Sequence, residues 1–338
     1  MTYLMVFGGL VLLFVGGEAL VRGSVSIARK MNISELVIGL TLVGFGTSVP
    51  ELVTSLRAIG QGAVGIAVGN VVGSNIANIL LVLGLAAVIR PILTNPRALT
   101  RDGAVMLAVT ALLCALIWFD LFTLLAGFGL IGLLLAYVAY SLVADQRRDT
   151  DVAVMHAAEG ESVEAQYGLF VGLVIAVIGL VAVIIGARLL VDGGVSISRD
   201  FGISEAIIGL TIVAVGTSLP ELATTAVAAY RGKSDVAIGN IIGSNIFNVL
   251  GILGITALVH PFSVRGNAAD GIADGQTTSL ISSLDISMLV LSTLLLVLFA
   301  ITGKRITRLE GTVLMLAYAA YFGLLFGLVP VPGILSNG

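Results

Sequence analysis

The chain has 338 residues, of which 58% are hydrophobic and 11% are charged, and its mean hydropathy is +1.11. A soluble globular domain carries about 25% charged residues, so this composition excludes one and predicts a multi-span helical membrane protein. The formal net charge of −3 argues against nucleic-acid binding, and the single cysteine excludes an intrachain disulfide.

About ten apolar runs follow in chain order, and a membrane span needs roughly 20 such residues. They begin near Thr2, Glu35, Ala63, Gly103, Leu121, Gly168, Glu205, Val236, Ile286 and Gly311. The first run lacks a basic leader and a cleavage site, so we interpret it as a retained helix. We therefore predict an all-α integral membrane protein with a five-helix repeat in residues 1–143, an acidic linker in 144–166 and a second five-helix repeat in 167–338.

The lysines and arginines are distributed unequally between the two sides of these spans. Thirteen of the 17 fall on one side, and only Arg57, Arg188, Arg199 and Arg265 fall on the other. Positive residues accumulate on the cytoplasmic side of membrane proteins. We therefore expect a multi-pass protein of the cell membrane with a cytoplasmic linker and both termini outside.

The two halves of the chain are related by duplication. Residues 22–91 align without a gap with residues 192–261, at an offset of 170 (192 − 22), and about half of the positions are identical. Because each half contains an odd number of spans, the second copy enters the membrane upside down. Inverted-topology repeats are typical of secondary transporters, whose substrate site lies near the membrane midplane where the repeats meet.

Each repeat places one glutamate in apolar sequence. The segment GTSVPE begins at Gly46 and ends at Glu51, and GTSLPE begins at Gly216 and ends at Glu221. A carboxylate inside a bilayer costs several kcal/mol unless it is paired or hydrated, so such a residue indicates a functional site. Two glutamates at matching positions predict one shared site.

A proline precedes each glutamate and is expected to break its helix. Pro50 has no amide hydrogen, and its ring clashes with the carbonyl group one turn earlier. The break frees backbone carbonyl groups, and Glu51 then lies at the start of the next half-helix, where the helix dipole stabilises its charge. The two segments thus offer an all-oxygen set, which hard cations such as Ca2+ and Na+ prefer. This set consists of Thr47, Ser48 and Glu51 with Thr217, Ser218 and Glu221.

A second duplicated motif follows each glutamate segment. GNVVGSNIAN begins at Gly69 and GNIIGSNIFN begins at Gly239. Both contain GxxxG, which favours close helix packing. One turn of helix separates the members of each serine and asparagine pair, so each pair shares a face and could complete a cation cage. These pairs are Ser74 with Asn78 and Ser244 with Asn248. We expect both interpretations to hold, on different faces of the helices. The sequence does not decide between a structural role and a site role for four further asparagines, Asn70, Asn75, Asn240 and Asn245.

Three further acidic residues are given other roles. Glu35 and Glu205 each follow a serine at the start of a span, which favours helix capping and dipole complementarity. Glu18 is matched in the second repeat by Arg188 and therefore cannot belong to a symmetric cage. We interpret Glu18 as an interfacial charge or a helix-packing partner.

The paired GTS-PE segments, each followed by GN-GSN, resemble the two repeats of the cation/calcium exchanger superfamily, in particular its prokaryotic sodium/calcium exchangers. The resemblance covers both copies and most of the ten-span plan. It implies an antiporter that exchanges Na+ for Ca2+ by alternating access, with sodium and calcium transport at one metal-binding site. The transported ions and the lipid bilayer are then its partners, with no enzyme activity, no cofactor and no protein partner implied.

The resemblance also implies roles for individual residues. Glu51 and Glu221 would share Ca2+ and Na+, and Thr47 and Thr217 would offer backbone carbonyls to Ca2+. Hydroxyl groups of four serines would serve flanking Na+ sites, namely Ser48, Ser74, Ser218 and Ser244. Gly44 and Ala214 would add carbonyls to those sites. Asn78 and Asn248 correspond to the central polar pair, where some members have one aspartate, so the formal charge of this site is −2 and the stoichiometry stays open.

Three alternatives to this function remain. A Ca2+/H+ antiporter would use the same two glutamates as proton carriers and is the main alternative. A channel needs a continuous pore, which an inverted repeat with one central site does not favour. An intramembrane hydrolase needs a Ser/His pair, an aspartate pair or a metal motif in the spans, and the sequence offers none.

Overall fold

The computed structural model describes residues 2–94, 96–146, 167–201, 214–265, 281–302 and 305–325. These residues are almost entirely helical. Before the linker the helices are α1 (Thr2–Met31), α2 (Glu35–Thr47), α3 (Val49–Gly60), α4 (Val64–Ile89), α5 (Pro96–Phe119) and α6 (Leu124–Gln146). After the linker they are α7 (Leu169–Asp200), α8 (Leu219–Tyr230), α9 (Ser234–Val259), α10 (Ser283–Thr302) and α11 (Arg308–Leu325).

The helices confirm a multi-span membrane protein. Among the described residues, 6 helices are long and apolar enough to cross a membrane, or 7 if α2 and α3 form one bent span. Nine of the ten predicted runs have a helix at or near their predicted start, whereas the start of the run near Glu205 lies outside the described residues. Helix α6 is described through Gln146, three residues into the predicted linker.

The sequence pattern does not predict the two strands found among the described residues. Strand β1 (Ile92–Leu93) pairs antiparallel with β2 (Arg305–Ile306), with Ile92 opposite Ile306. The Leu93 backbone amide also donates to the Ser234 hydroxyl oxygen at 3.1 Å. This ribbon therefore joins the segment after α4 to the start of α9 and to the segment before α11.

Helices α1 and α7 run antiparallel with their backbones in contact. Glycines recur every seven residues in α1 at Gly9, Gly16 and Gly23, and they face Gly186, Gly179 and Gly172 of α7. A Cβ atom added at Gly16 would lie 2.8 Å from the Val183 backbone nitrogen, closer than real contacts allow. We call these six residues the glycine seam. Small residues in such a seam let two membrane helices approach closely.

Helix α2 packs on the first half of α9 through the second GxxxG pair. A Cβ atom at Gly243 would lie 2.0 Å from the Leu40 carbonyl oxygen, and one at Gly239 would lie 2.5 Å from the Leu36 carbonyl oxygen. The packing interpretation of GxxxG is therefore confirmed for this copy. The contact holds the chain around Gly44 beside the Ser244 turn of α9, which brings the first glutamate segment against the second GN-GSN motif.

The acidic residues outside the site have structural partners. Ser34 caps α2 by accepting the Val37 backbone amide at 3.2 Å, and Glu35 accepts the Lys233 ammonium at 3.1 Å. Glu18 accepts from Arg22 of its own helix, and it accepts from Arg231 Nε at 2.7 Å. The packing role of Glu18 is thus confirmed, since it ties α1 to the end of α8. Glu205 lies outside the described residues.

Candidate cation-binding site

The chain bends in front of each intramembrane glutamate. Helices α2 and α3 meet at an angle of 42° at Ser48, whose φ and ψ are −85° and 8°. Ser218 has nearly the same φ and ψ, −86° and 5°, and immediately precedes α8. Pro50 and Pro220 are the second residues of α3 and α8, so Glu51 and Glu221 lie in the first turn of these helices. The predicted break is therefore confirmed in both copies.

Both glutamates are completely buried, but their surroundings differ. One oxygen of Glu221 accepts the Ser48 hydroxyl at 2.8 Å, and the hydroxyls of Thr47 and Ser244 face the same carboxylate. Within the described structure, neither oxygen of Glu51 has a hydrogen-bond partner, and the second oxygen of Glu221 has none. The two carboxylates also repel each other electrostatically. The structure thus brings the side chains of the two glutamates close enough to interact.

Neutral oxygens from both halves of the chain surround the carboxylates. The Ser244 hydroxyl donates to the Gly44 carbonyl oxygen at 3.0 Å, so two predicted site residues from different repeats are in direct contact. Thr47 donates its hydroxyl to the Asn240 side-chain oxygen at 3.2 Å. The buried Ser218 hydroxyl has no partner in the described structure. Hydroxyl and carbonyl groups are thus available around the glutamates.

The other predicted site residues lie in α4 and α9 or shortly before α8. Ser74 is buried in α4, as Ser244 is buried in α9. Ala214 lies in the helical turn Ala214–Gly216, and Thr217 follows this turn and precedes the bend at Ser218. The described contacts do not join Ala214 to the glutamates.

The central asparagines lie where both inner helices change their hydrogen-bonding pattern. Asn78 begins a π-helical segment of α4, Asn78–Leu83, and Asn248 begins one of α9, Asn248–Ile252. Such segments occur often at functional sites. Both side chains are fully buried, and among the described residues neither side-chain oxygen has a hydrogen-bond partner.

Asn70 and Asn240, whose roles the sequence does not decide, bind the backbone of the two glutamates. The Asn70 amide donates to the Glu51 carbonyl oxygen at 3.2 Å and to the Ser55 hydroxyl at 3.1 Å. The Asn240 amide makes the equivalent bonds, to the Glu221 carbonyl oxygen at 3.5 Å and to Thr225 at 2.7 Å. These two asparagines therefore hold the backbone of α3 and α8 rather than reaching the cage with their nitrogens.

The sequence interpretation missed one polar group near the site. Thr224 is fully buried, and its hydroxyl has no partner in the part of the chain that the structure describes. It lies three residues after Glu221 in α8, and this spacing places both side chains on one face of the helix. That spacing is the signal that could have identified it.

The arrangement is suited to a hard cation. Among the described residues, no group of three or more His, Cys, Asp and Glu side chains could hold a metal ion, so the two glutamates must be assisted by neutral oxygens. Buried polar oxygens without partners cost free energy, and buried charges cost more. A cation bound among carboxylate, hydroxyl, amide and carbonyl oxygens would remove this cost, and Ca2+ accepts such a mixed set.

The chain is similar to known proteins along most of its length. The family model of the sodium/calcium exchanger protein matches residues 1–143 and 171–327. The sodium/calcium exchanger MaX1 of Methanosarcina acetivorans is 35% identical over 361 residues, covering 96% of this chain and 98% of MaX1. The inner membrane protein YrbG of Escherichia coli is 35% identical over 254 residues, covering 75% of this chain and 78% of YrbG.

A solved structure has the same fold. The sodium-calcium exchanger NCX_Mj, soaked with 10 mM Na+ and no Ca2+, superposes with a TM-score of 0.77 at 33% sequence identity. The match covers 98% of this chain and 100% of that chain. The family model includes both glutamate segments, and the matches to MaX1 and NCX_Mj extend over nearly the whole molecule. The chain belongs to the sodium/calcium exchanger family.

Proposed function

We propose that this protein exchanges Na+ for Ca2+ across the cell membrane by alternating access, as a transporter and not an enzyme. The observation that carries the proposal is the pair of buried glutamates, one from each repeat, with three carboxylate oxygens that lack partners within the described structure. Ca2+ balances the formal charge of −2, and so do two Na+. Either ion species can therefore occupy the site at the expense of the other.

The proposed ligands are the residues that the sequence motifs indicate. Glu51 and Glu221 bind both kinds of ion. Asn78 and Asn248 offer their side-chain oxygens at the centre of the site. The outer ligands come from the same two motifs in each repeat and are Gly44, Thr47, Ser48, Ser74, Ala214, Thr217, Ser218 and Ser244. The direct bonds Ser48 to Glu221 and Ser244 to Gly44 support this set, because each joins one repeat to the other.

The proposed architecture has ten spans in two inverted repeats, residues 1–143 and 167–338, joined by a cytoplasmic linker, with both termini outside. Equivalent contacts at the offset of 170 support it. Gly9 faces Gly186 while Gly179 faces Gly16, and Asn70 supports Glu51 as Asn240 supports Glu221. The similarity to an inner membrane protein supports placement in the cell membrane.

Coupling follows from the cost of moving an empty site. Two bare carboxylates enclosed in a low-dielectric interior cost several kcal/mol, and bound cations remove this penalty. The protein therefore changes its open side when Ca2+ or Na+ is bound and not when the site is empty. Exchange is then obligatory, since an ion of one kind must enter before the next reorientation.

Reconstitution into liposomes tests the proposal. Vesicles loaded with Na+ are diluted into Na+-free medium containing radioactive Ca2+, and we expect rapid Ca2+ uptake that disappears when choline replaces the internal Na+. The Ca2+/H+ alternative uses the same glutamates and predicts uptake driven by a pH gradient without Na+ on either side. Uptake of that kind would overturn the sodium assignment, and absence of uptake in both arms would overturn the proposed function.

A further inference from the structure

Asn75 and Asn245 form a reciprocal contact between the two inner helices. Each residue directly follows the serine of a GSN motif, and both are buried. The Asn75 side-chain amide donates to the Asn245 backbone carbonyl at 3.2 Å, and the Asn245 amide donates to the Asn75 backbone carbonyl at 3.4 Å. Equivalent residues of the two repeats thus hold each other across the pseudo-two-fold axis.

The same two side chains also hold the central asparagines. The Asn245 side-chain oxygen accepts the Asn78 amide at 3.1 Å, and the Asn75 side-chain oxygen accepts the Asn248 amide at 3.0 Å. Each central side chain is therefore bound through its nitrogen. Its oxygen is the atom that lacks a partner in the described structure. We call these four residues the amide ladder.

The backbone carbonyls determine the direction of every amide in the ladder. A carbonyl oxygen only accepts, so it requires the nitrogen end of Asn75 and of Asn245. Their oxygen ends must then face the central residues, which in turn must donate with their nitrogen ends. An asparagine can normally rotate by half a turn and exchange its oxygen and nitrogen, but here such a rotation would create contacts between like ends.

We propose that Asn75 and Asn245 are positioning residues that orient the oxygens of Asn248 and Asn78 toward the cation. The inference rests on the proposed function, since it assigns the ladder to the same site. It explains how a neutral amide serves as a dependable ligand: without the ladder, the nitrogen end of the amide could face the cation and repel it. Residues that orient direct ligands in this way typically change metal affinity about 10- to 100-fold when they are replaced.

The test is a double-mutant cycle with Asn75→Leu and Asn248→Asp. Leucine removes the acceptor that orients residue 248. Asparagine has two unlike ends and needs orientation, whereas aspartate has two equivalent oxygens and does not. We expect Asn75→Leu to weaken Ca2+ binding about tenfold or more when residue 248 is asparagine, and much less when it is aspartate. Ca2+ binding is measured with radioactive Ca2+ on the purified full-length protein in detergent.

The symmetric cycle, Asn245→Leu with Asn78→Asp, is expected to behave in the same way. If the leucine variants do not fold, Asn75→Ala replaces Asn75→Leu in the cycle: it also removes the acceptor for Asn248 and adds no bulk, so the same difference between the two backgrounds is expected. An equal loss in both backgrounds would show that Asn75 is needed only for packing. The inference would then fail while the proposed function stands. A wild-type protein that binds no Ca2+ would overturn both.

Discussion

Glu51 and Glu221 occupy equivalent sequence positions but have different hydrogen-bond partners. Ser48 donates to Glu221, whereas the equivalent hydroxyl of Ser218 does not donate to Glu51, and both carboxylate oxygens of Glu51 lack partners within the described structure. A buried charge with no compensating hydrogen bond costs more free energy than a buried charge that accepts one. Burial of the Glu51 carboxylate therefore costs more free energy than burial of the Glu221 carboxylate.

We expect Glu51→Gln to abolish exchange while increasing stability in cation-free buffer. The amide cannot supply the charge that the bound cation needs, and it removes an uncompensated buried carboxylate, which should raise the free energy of unfolding by about 1 kcal/mol or more. Glu221→Gln should also abolish exchange, with a smaller effect on stability, because glutamine keeps an oxygen for the Ser48 hydroxyl. Ca2+ uptake into liposomes and thermal unfolding in detergent measure the two effects.

Glu310→Gln is the matched control for both variants. Glu310 accepts the Thr307 backbone amide at 2.7 Å at the start of α11 and is not among the proposed ligands. Exchange should be retained in this variant. Retained exchange in either Glu51→Gln or Glu221→Gln would instead refute the proposed ligands.

The sequence predicts the residues of the candidate site only where a polar residue is duplicated in apolar sequence. Glu51, Ser48 and Asn78 could be identified because each has a copy 170 positions later, in apolar sequence where a polar residue is costly. The roles of Asn75 and Asn245 could not be predicted, because the sequence does not show whether an asparagine side chain supports a helix or orients a ligand. Only the register between α4 and α9, which depends on tertiary packing, shows what each amide contacts.

At the scale of helices, the glycine seam makes α1 and α7 one closely packed pair. Adjacent glycines of α1 provide a test within a single turn. A Cβ atom at Gly9 would lie 2.8 Å from the Gly186 carbonyl oxygen, whereas one at Gly8 would meet no atom of the described residues within 4 Å. The two positions therefore differ in packing, while both have the same intrinsic helix propensity.

We expect Gly9→Ala to be destabilising and Gly8→Ala to be tolerated. The added methyl group at residue 9 must push the two backbones apart, and overpacking of this kind costs about 1–3 kcal/mol. At residue 8 alanine has the higher helix propensity by about 1 kcal/mol and meets no obstacle. Thermal unfolding of the two purified variants gives the comparison. Equal unfolding temperatures for both would contradict direct backbone contact along the seam.

Helix positions were largely predictable because apolar runs of span length have few other solutions in a membrane. The predicted starts at Thr2, Glu35 and Ala63 lie within one residue of helices that begin at Thr2, Glu35 and Val64. The β1–β2 ribbon was not predictable, because its two-residue strands carry no periodic pattern and pair across more than 200 positions of sequence. The π-helical segments at Asn78 and Asn248 likewise leave no signal in hydrophobic periodicity.

At the scale of the whole molecule, the proposed inverted repeat requires equivalent residues to lie on opposite sides of the membrane. Lys30 and Asp200 are such a pair, since they are separated by 170 positions (200 − 30) and lie at the ends of α1 and α7. Both side chains are exposed, so a label can reach them. The antiparallel contact of α1 with α7 places these two ends at opposite ends of the helix pair.

We expect Lys30→Cys to react with a membrane-impermeant maleimide only from the cytoplasmic side, and Asp200→Cys only from outside. The assignment of sides follows from the excess of lysine and arginine on the side of Lys30. Cys114→Ser in both variants removes the native thiol, and labelling of intact cells against inverted membrane vesicles separates the two sides. Labelling of both residues from one side would contradict the inverted repeat. Exchanged labelling of the two residues would keep the repeat but reverse the orientation, placing both termini in the cytoplasm.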